Sequence, residues 1–258
     1  MKLKNAWLAV LLTLPLPLLA QAPSVITMAE ESHHHLALHN EYVNVYNAEA
    51  APGDSLALHR HIHDGVAIAI GEQTVTIGIP GKPDVHAKIA DGQVRLQATG
   101  YVHSTHNDSK SAYHTIAVEL LQPQTGEHNL CAPVLAGKPL DCPGAAANAS
   151  PSKRIDLPQF ASNQTHVQNV RVLPHQNTNI ANSAQFELLV ALDSASISPA
   201  SGSGPDEQVR PGECLWFEKG APVRTFKNGS DKEVRFVELT FKPPTPAKNA
   251  VDATKPAH

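Results

Sequence analysis

The sequence predicts an all-β protein with two tandem β-domains, and three observations support this. No segment shows a sustained helical period, and short alternating or β-branched stretches recur along the chain instead. The 21 prolines and the scarce aromatic residues favour strands joined by irregular turns over long helices. The order of turns and strands in the first half of the 258 residues is repeated in the second half.

The strand pattern is clear in both halves. In the first half, strands are predicted at 41–48, 66–70, 74–79, 93–98 and 114–121. Turn signals such as Pro-Gly-Asp, Pro-Gly-Lys and Asp-Gly separate them, and this spacing is typical of a β-sandwich or a small barrel. In the second half, strands are predicted at 167–173, 184–192, 213–217 and 233–241.

The repeat defines the domains. The stretch DGQVRLQATGYVHSTHN followed by HTIAVELLQP matches PGECLWFEKGAPVRTFKN followed by VRFVELTFKP. Both contain a turn with glycine, a strand, a second glycine, a strand, an asparagine and a strand that includes VEL. We therefore expect β-domains at 33–125 and 154–243, joined by a loop and linker at 126–153, with a disordered tail at 244–258.

The N-terminus resembles a secretory signal peptide. Two lysines precede an apolar run at 6–20, which is shorter than the roughly 20 residues of a membrane span. Small residues at Ala20 and Ala22 provide a cleavage site. We expect a signal peptide at 1–22, an uncleaved membrane anchor being the alternative. The mature protein is then secreted or periplasmic and has no stable membrane span.

The cysteines agree with an oxidising compartment. Cys131 and Cys142 flank a loop that a disulfide could close, which predicts a bond between them. Cys214 lies in an apolar run and is expected to be a buried free thiol. The net charge of −4, without a lysine or arginine cluster beyond the N-terminus, provides no electrostatic basis for binding nucleic acid. A homodimer formed through edge strands is left open.

The stretch LHRHIHDG is the first candidate for chemistry. In a strand, side chains alternate between two faces, so His59 and His61 point to one side and Arg60 to the other. Two imidazoles on one face can share a divalent metal when a neighbouring strand supplies a third ligand. His103, in the glycine-framed stretch TGYVHSTHN, is the candidate third ligand.

At these positions the first half resembles a cupin. Gly53, DSLAL and His59-Arg60-His61 match the opening of the first cupin motif, G-x5-H-x-H-x3,4-E-x6-G. The second motif, G-x5-P-x-G-x2-H-x3-N, matches from Gly92 to Asn107, with alanine in place of its proline. The resemblance covers about residues 38–122.

The cupin resemblance implies a fold and a metal site. It implies a barrel of the jelly-roll, or double-stranded β-helix, type, and for the whole chain two such barrels in tandem. His59, His61 and His103 would bind one divalent transition metal inside the first barrel. Imidazole ligands alone do not choose among Fe, Mn, Zn, Ni and Cu.

One position departs from the motif. The cupin glutamate should fall at residue 65 or 66, which are Gly65 and Val66. Asp64 comes one place early and would need a local bulge to reach the site, whereas His63 shares the parity of His59 and His61. The fourth ligand is therefore His63 or Asp64, or the position is open to solvent.

Other histidine-bearing or repeated segments are expected to serve structure rather than chemistry. The second half lacks an H-x-H, and Val223 or Arg224 stands where the last histidine belongs, so we expect a degenerate barrel that packs against the first. The cluster SHHHLALH at 32–39 is expected to form an exposed arm.

The resemblance implies two classes of function. The first is a metal-dependent enzyme, oxygenase-like, that acts on a small molecule. The alternative is a non-catalytic protein that binds a metal or a small ligand. The sequence contains no Ser/His/Asp set, phosphate loop or dinucleotide motif that would indicate another chemistry.

Overall fold

The computed structural model describes residues 25–129, 153–181 and 184–243. The predicted signal peptide, the Cys131–Cys142 disulfide, most of the linker and the tail lie outside these residues. Among the described residues, no helix has the length and apolar character that a membrane crossing requires.

The first half of the chain forms two five-stranded sheets that together make a barrel. A short 3-10 helix, Met28–Glu30, lies between its first two strands. The strands are β1 (Ile26–Thr27), β2 (His34–His39), β3 (Val43–Ala50), β4 (Ser55–Arg60), β5 (Asp64–Ala69), β6 (Gln73–Gly78), β7 (Val85–Ile89), β8 (Val94–Gln97), β9 (Val102–Asn107) and β10 (Tyr113–Leu120). One sheet has the order β1-β4-β9-β6-β7 and the other β2-β3-β10-β5-β8. The β1–β4 pair is parallel, and it brings the N-terminal segment alongside β4.

The second half repeats this arrangement in a six-stranded and a four-stranded sheet. Its strands are β11 (His128–Asn129), β12 (Arg154–Ala161), β13 (Thr165–Val172), β14 (Asn177–Ile180), β15 (Phe186–Ala191), β16 (Ala195–Ile197), β17 (Glu207–Val209), β18 (Cys214–Phe217), β19 (Arg224–Lys227) and β20 (Val234–Phe241). The orders are β11-β12-β13-β20-β15-β18 and β14-β19-β16-β17. Strand for strand, β13-β20-β15-β18 corresponds to β3-β10-β5-β8, and β14-β19-β16-β17 to β4-β9-β6-β7. The predicted all-β fold with two tandem barrels is confirmed.

The hydrogen-bond ladders align the two barrels residue by residue. The turn before β8 bonds to Ala69, and the turn before β18 bonds to Ala191 in the same way. The VEL tripeptides at 118–120 and 237–239, which match in the sequence repeat, are offset by two positions when the strands are aligned by their hydrogen bonds. Tyr113 corresponds to Val234, at the start of β10 and β20 respectively, so Glu119 and Glu238 occupy different places in their barrels.

A single apolar core joins the two barrels. On β5, Val66 and Ile68 point out of the first barrel into this core, where they meet Leu188 and Leu239 from the second barrel. At the edge of this interface, Arg235 forms ion pairs with Asp91 and Asp193. Because strand side chains alternate, the neighbours of Val66 and Ile68 on β5 point into the interior of the first barrel.

The interiors of the two barrels differ in chemistry. At one end of the first barrel the interior is closed by apolar side chains, including Leu56, Val75, Ile77 and Tyr113. The second barrel is filled by Ile180, Leu189, Phe226 and Phe236, among others. The histidines that the sequence analysis singled out lie in the first barrel.

Candidate metal centre

A β-bulge in β4 positions His59. Leu56 pairs with Thr105 and His59 pairs with His103, so β4 holds one more residue than β9 between these two points. The carbonyl of Ala57, within the bulge, accepts a hydrogen bond of 2.8 Å from Nδ1 of His59. The bulge therefore fixes the orientation of the His59 ring.

His61 and His103 are held on opposite sides of one turn. The N–H of His61 donates to the Tyr101 carbonyl at 2.9 Å, and the N–H of Gly100 donates to the His61 carbonyl at 2.8 Å. Tyr101 also stacks on His103, with ring centroids 4.5 Å apart and an interplanar angle of 13°. Arg60, between His59 and His61, is exposed, as the alternation of side chains predicts.

The structure brings His59, His61 and His103 together in the barrel. One ring nitrogen from each lies within 4.8 Å of the others. The Nε2 atoms of His61 and His103 are 3.0 Å apart, and the ring centroids of His59 and His103 are 4.5 Å apart. The three residues are only 1%, 2% and 7% exposed, respectively. This is the only group of three or more potential metal ligands among the described residues.

The protonation states suit a metal. Because Nδ1 of His59 donates to Ala57, Nε2 carries a lone pair, and this atom is buried without a hydrogen-bond partner. Burial lowers the pKa of His59 to about 4 and that of His61 to about 3, and it lowers the pKa of His103 well below its ordinary value. Metal ions bind the neutral form of imidazole, with the other ring nitrogen held by a hydrogen bond. The three residues therefore fit a divalent transition metal.

The structure does not bring His63 or Asp64 into the cluster. The carboxylate of Asp64 accepts a hydrogen bond of 2.8 Å from the N–H of Thr99, and His63 is half-buried in the turn before β5. At Gly65, one of the two positions where the cupin motif would have its glutamate, a Cβ would lie 2.9 Å from the carbonyl oxygen of Val118. The backbone of β10 therefore leaves little room for a side chain at this position.

Glu31 and His34, which the sequence analysis did not predict as site residues, lie beside the cluster. The expected exposed arm is wrong for His34, because this residue is 9% exposed and its ring centroid is 4.9 Å from that of His59. The cause is the parallel pairing of β1 with β4, which places Ile26 opposite His59. The only sequence signal was a glutamate two residues before a run of histidines, and no local pattern connected it to β4.

The carboxylate of Glu31 links this segment to the bulge. It accepts hydrogen bonds from Nδ1 of His34 at 2.8 Å, from the N–H of Ala57 at 3.1 Å, and from the N–H and ring of His33. Burial opposes ionisation of Glu31, but these hydrogen bonds outweigh it and hold its pKa well below the ordinary value. Glu31 therefore braces both His34 and the peptide that orients His59.

The second barrel has no equivalent cluster at the corresponding positions. Ile180 pairs with Arg224 there, as His59 pairs with His103 in the first barrel. Arg224 forms an ion pair of 2.7 Å with Glu207 and donates to the carbonyl of Ser198. The sequence analysis left Val223 and Arg224 as alternatives at the position of the last cupin histidine, and the pairing shows that this residue is Arg224.

Solved structures resemble this fold, although no family model and no curated protein matches the sequence. AerE from Microcystis aeruginosa aligns with a TM-score of 0.54 at 10% identity, over 83% of this chain and 99% of that chain. A Cupin 2 conserved barrel domain protein from Leptotrichia buccalis aligns with a TM-score of 0.50 at 10% identity, over 86% and 92%. Salicylate 1,2-dioxygenase from Pseudoaminobacter salicylatoxidans, solved as adducts with gentisate, aligns with a TM-score of 0.51 at 9% identity, over 78% and 68%. At these identities the similarity shows the fold alone.

Proposed function

We propose that this chain, which has the two-barrel fold of the cupins, binds one divalent transition metal through His59, His61 and His103. We further propose that it is a metal-dependent enzyme, oxygenase-like, acting on a small molecule. The observation that carries the proposal is the cluster itself: three buried imidazoles with low pKa values, including one ring nitrogen that lacks any other partner.

The donor set supports an open, reactive site rather than a closed structural one. Three neutral nitrogen ligands fit Fe, Mn, Zn, Ni and Cu and leave coordination positions free. When bound, the metal would supply a Lewis acid and a place for a substrate or dioxygen to bind. The similar structure that is named salicylate 1,2-dioxygenase supports this class of reaction only by analogy of fold.

The surrounding residues orient the ligands and exclude water. Ala57 holds the ring of His59 through its carbonyl, and Tyr101 packs flat against His103. The apolar side chains around Leu56 and Val75 close one end of the barrel below the cluster. A small molecule would therefore meet the histidines in preorganised positions.

Metal analysis tests the site directly. The purified protein, loaded with Fe(II), Zn(II) or Mn(II) and desalted, is expected to retain about one metal ion per chain. His59→Ala and His61→Ala should lose it, whereas the control His106→Ala, which removes a half-exposed histidine on β9, should retain it. Equal and negligible metal content in the wild type and the site variants would disprove the site.

Turnover tests the enzyme proposal separately. Oxygen uptake by the metal-loaded protein, measured across a panel of phenols, thiols and dicarbonyls, should reveal a substrate that His59→Ala does not consume. Tight retention of a ligand without any turnover would instead support the non-catalytic binding protein.

We also propose that the protein works outside the cytoplasm, and the N-terminal pattern of lysines, apolar residues and small residues supports this. N-terminal sequencing of the protein from a periplasmic or culture-medium fraction should begin after Ala20 or Ala22. Recovery of the intact N-terminus in the cytoplasm would contradict the proposal. Sedimentation of the same sample determines whether the barrels form a homodimer.

A further inference from the structure

Arg95 is a buried cation inside the first barrel. On β8, Val94 and Leu96 pack into the core shared by the two barrels. Since side chains alternate along a strand, Arg95 and Gln97 point the other way, into the interior that holds the histidines. Arg95 is 5% exposed, and no other arginine or lysine among the described residues of the first half is buried.

The guanidinium of Arg95 lacks the anion that a buried arginine normally has. Its Nε is buried without a hydrogen-bond partner, and no described carboxylate forms an ion pair with it. The two buried carboxylates of this barrel have other partners: Glu119 accepts from Asn44, and Glu31 accepts from His34. Arginine remains charged at all physiological pH values, so an unpaired buried guanidinium is costly unless a ligand neutralises it.

Arg95 lies within electrostatic range of the histidine cluster. After burial and the neighbouring histidines, its charge is a further cause of the low pKa of His103. It also partly offsets the increase that burial gives to the pKa of Tyr101, the residue that stacks on His103. Arg95 and the three histidines are all buried in the interior of the first barrel, so an anion bound to Arg95 would share that interior with the candidate metal ligands.

The second barrel shows that the fold does not require these polar residues. The ladders align Arg95 with Leu215, which packs against the apolar core of the second barrel, and Gln97 with Phe217, which belongs to that core. The adjacent strand β5 presents only small side chains to the interior of the first barrel, such as Ala67, which pairs with Arg95. The first barrel therefore has a buried charge and small neighbouring side chains where the second barrel is packed with apolar groups.

We propose that Arg95 binds the carboxylate of a small organic acid, and that this acid is the substrate or ligand of the first barrel. A single guanidinium with one charge suits a monoanionic carboxylate, which it can bind with two parallel hydrogen bonds. The part of the molecule opposite its carboxylate then faces His59, His61 and His103. The orientation towards a metal rests on the proposed function, whereas anion binding by Arg95 does not.

Matched acids and amides test the charge requirement. Benzoate and pyruvate are titrated against benzamide and pyruvamide by calorimetry, with wild-type protein in its metal-free and metal-loaded forms at constant ionic strength. At least one acid should bind tenfold or more tightly than its amide. Equal affinities for each acid and its amide, or no binding of either acid, would overturn the proposal.

Substitutions then assign the effect to Arg95. Arg95→Met should abolish the preference for the acid, and Arg95→Lys should retain part of it, because lysine keeps the charge but not the paired donors. The control Arg60→Met removes an exposed arginine and should leave the preference unchanged. An unchanged preference in Arg95→Met would overturn the proposal. If Arg95→Met does not fold, the affinities for acid and amide in the wild type and in Arg95→Lys determine whether the proposal stands.

Metal content, measured in the same samples, separates the two proposals. If the wild type prefers the acid but binds no metal, the anion site stands and the metal site fails. If the wild type binds metal but does not distinguish acid from amide, the metal site stands and the role of Arg95 fails.

Discussion

The side-chain amides of Asn107 and Asn228 make the same hydrogen bonds in the two barrels. Each Nδ2 donates to two successive backbone carbonyls at the end of a long strand and to the carbonyl four residues further along the chain. The acceptors are Ala50, Ala51 and Ser111 for Asn107, and Val172, Leu173 and Lys232 for Asn228. Each Oδ1 accepts from the backbone N–H two residues later. This asparagine is therefore structural, since it is also present in the barrel that lacks the histidine cluster.

Replacing either asparagine should destabilise the protein. Asn228→Ala leaves buried carbonyls without a donor, and the free energy of unfolding should fall by about 1–3 kcal/mol in a denaturant titration. Asn179→Ala, at an exposed position of β14, is the control and should change it by less than about 0.5 kcal/mol. Metal retention should be unaffected in Asn228→Ala. An unfolding free energy equal to that of the wild type would show that the bonds contribute nothing.

Removing the charge of Glu31 should weaken metal binding. Glu31→Gln keeps the size of the side chain but cannot accept from His34, His33 and Ala57 as a carboxylate does. Loss of such supporting groups typically lowers metal affinity about 10- to 100-fold, and we expect this range in a chelator competition assay. Glu49→Gln, an exposed site on β3, serves as the matched control. Identical affinities for the wild type and Glu31→Gln would mean that Glu31 does not brace the ligands.

Metal affinity should be nearly independent of pH around neutrality. Burial lowers the pKa of His59 to about 4 and that of His61 to about 3, so protons do not compete for these nitrogens until the pH falls near 4. Zinc titrations of the folded protein should give similar affinities at pH 7 and pH 5.5, and a steep loss below pH 4. A tenfold loss per pH unit beginning at pH 6.5, the ordinary range of histidine, would contradict the buried, neutral state.

Glu187 should make the protein less stable as the pH rises. Burial, with a contribution from the charge of Glu238, raises the pKa of Glu187 to about 7. Between the ordinary carboxyl value and pH 7, the folded protein therefore binds more protons here than the unfolded chain, so this group's contribution to stability falls across that window. Glu187→Gln should match the wild type near pH 4 and be more stable at pH 8, by at most about 3 kcal/mol.

Denaturant titrations at several pH values measure this difference. Glu233→Gln, at an exposed position next to β20, should give no such pH-dependent difference. A Glu187→Gln variant that is less stable than the wild type at pH 8 would show that the carboxylate is stabilised rather than penalised.

Much of the fold was predictable from the sequence, because alternation and turn residues mark strands that bury one face. The predicted strand 66–70 is β5 (Asp64–Ala69), and 233–241 is β20 (Val234–Phe241). Two missed strands show why others were not predictable. β7 is mostly exposed and so lacks apolar alternation, whereas Pro158 interrupts the pattern of β12 next to a register shift.

The candidate site was predictable only where its residues are connected by local spacing. The spacing of His59 and His61, together with the glycine-framed stretch around His103, led to the cluster. Glu31 and His34 reach it through the parallel β1–β4 pairing, which no short-range pattern encodes. Arg95 lies in the predicted strand 93–98, but the sequence of this strand does not show which of its two faces points into the barrel. Packing of Val94 and Leu96 against the second barrel determines this.

The core shared by the barrels makes the first barrel depend on residues of the second. Val66 and Ile68 of the first barrel pack with Leu188 and Leu239 of the second, so the sheet that carries Arg95 is supported from outside its own domain. The second barrel therefore contributes to the histidine site without supplying a ligand, because a substitution at Leu188 would weaken the packing that supports this sheet. For the same reason, a fragment that contains only the first barrel would expose an apolar sheet face, and the site cannot be transplanted as an independent module.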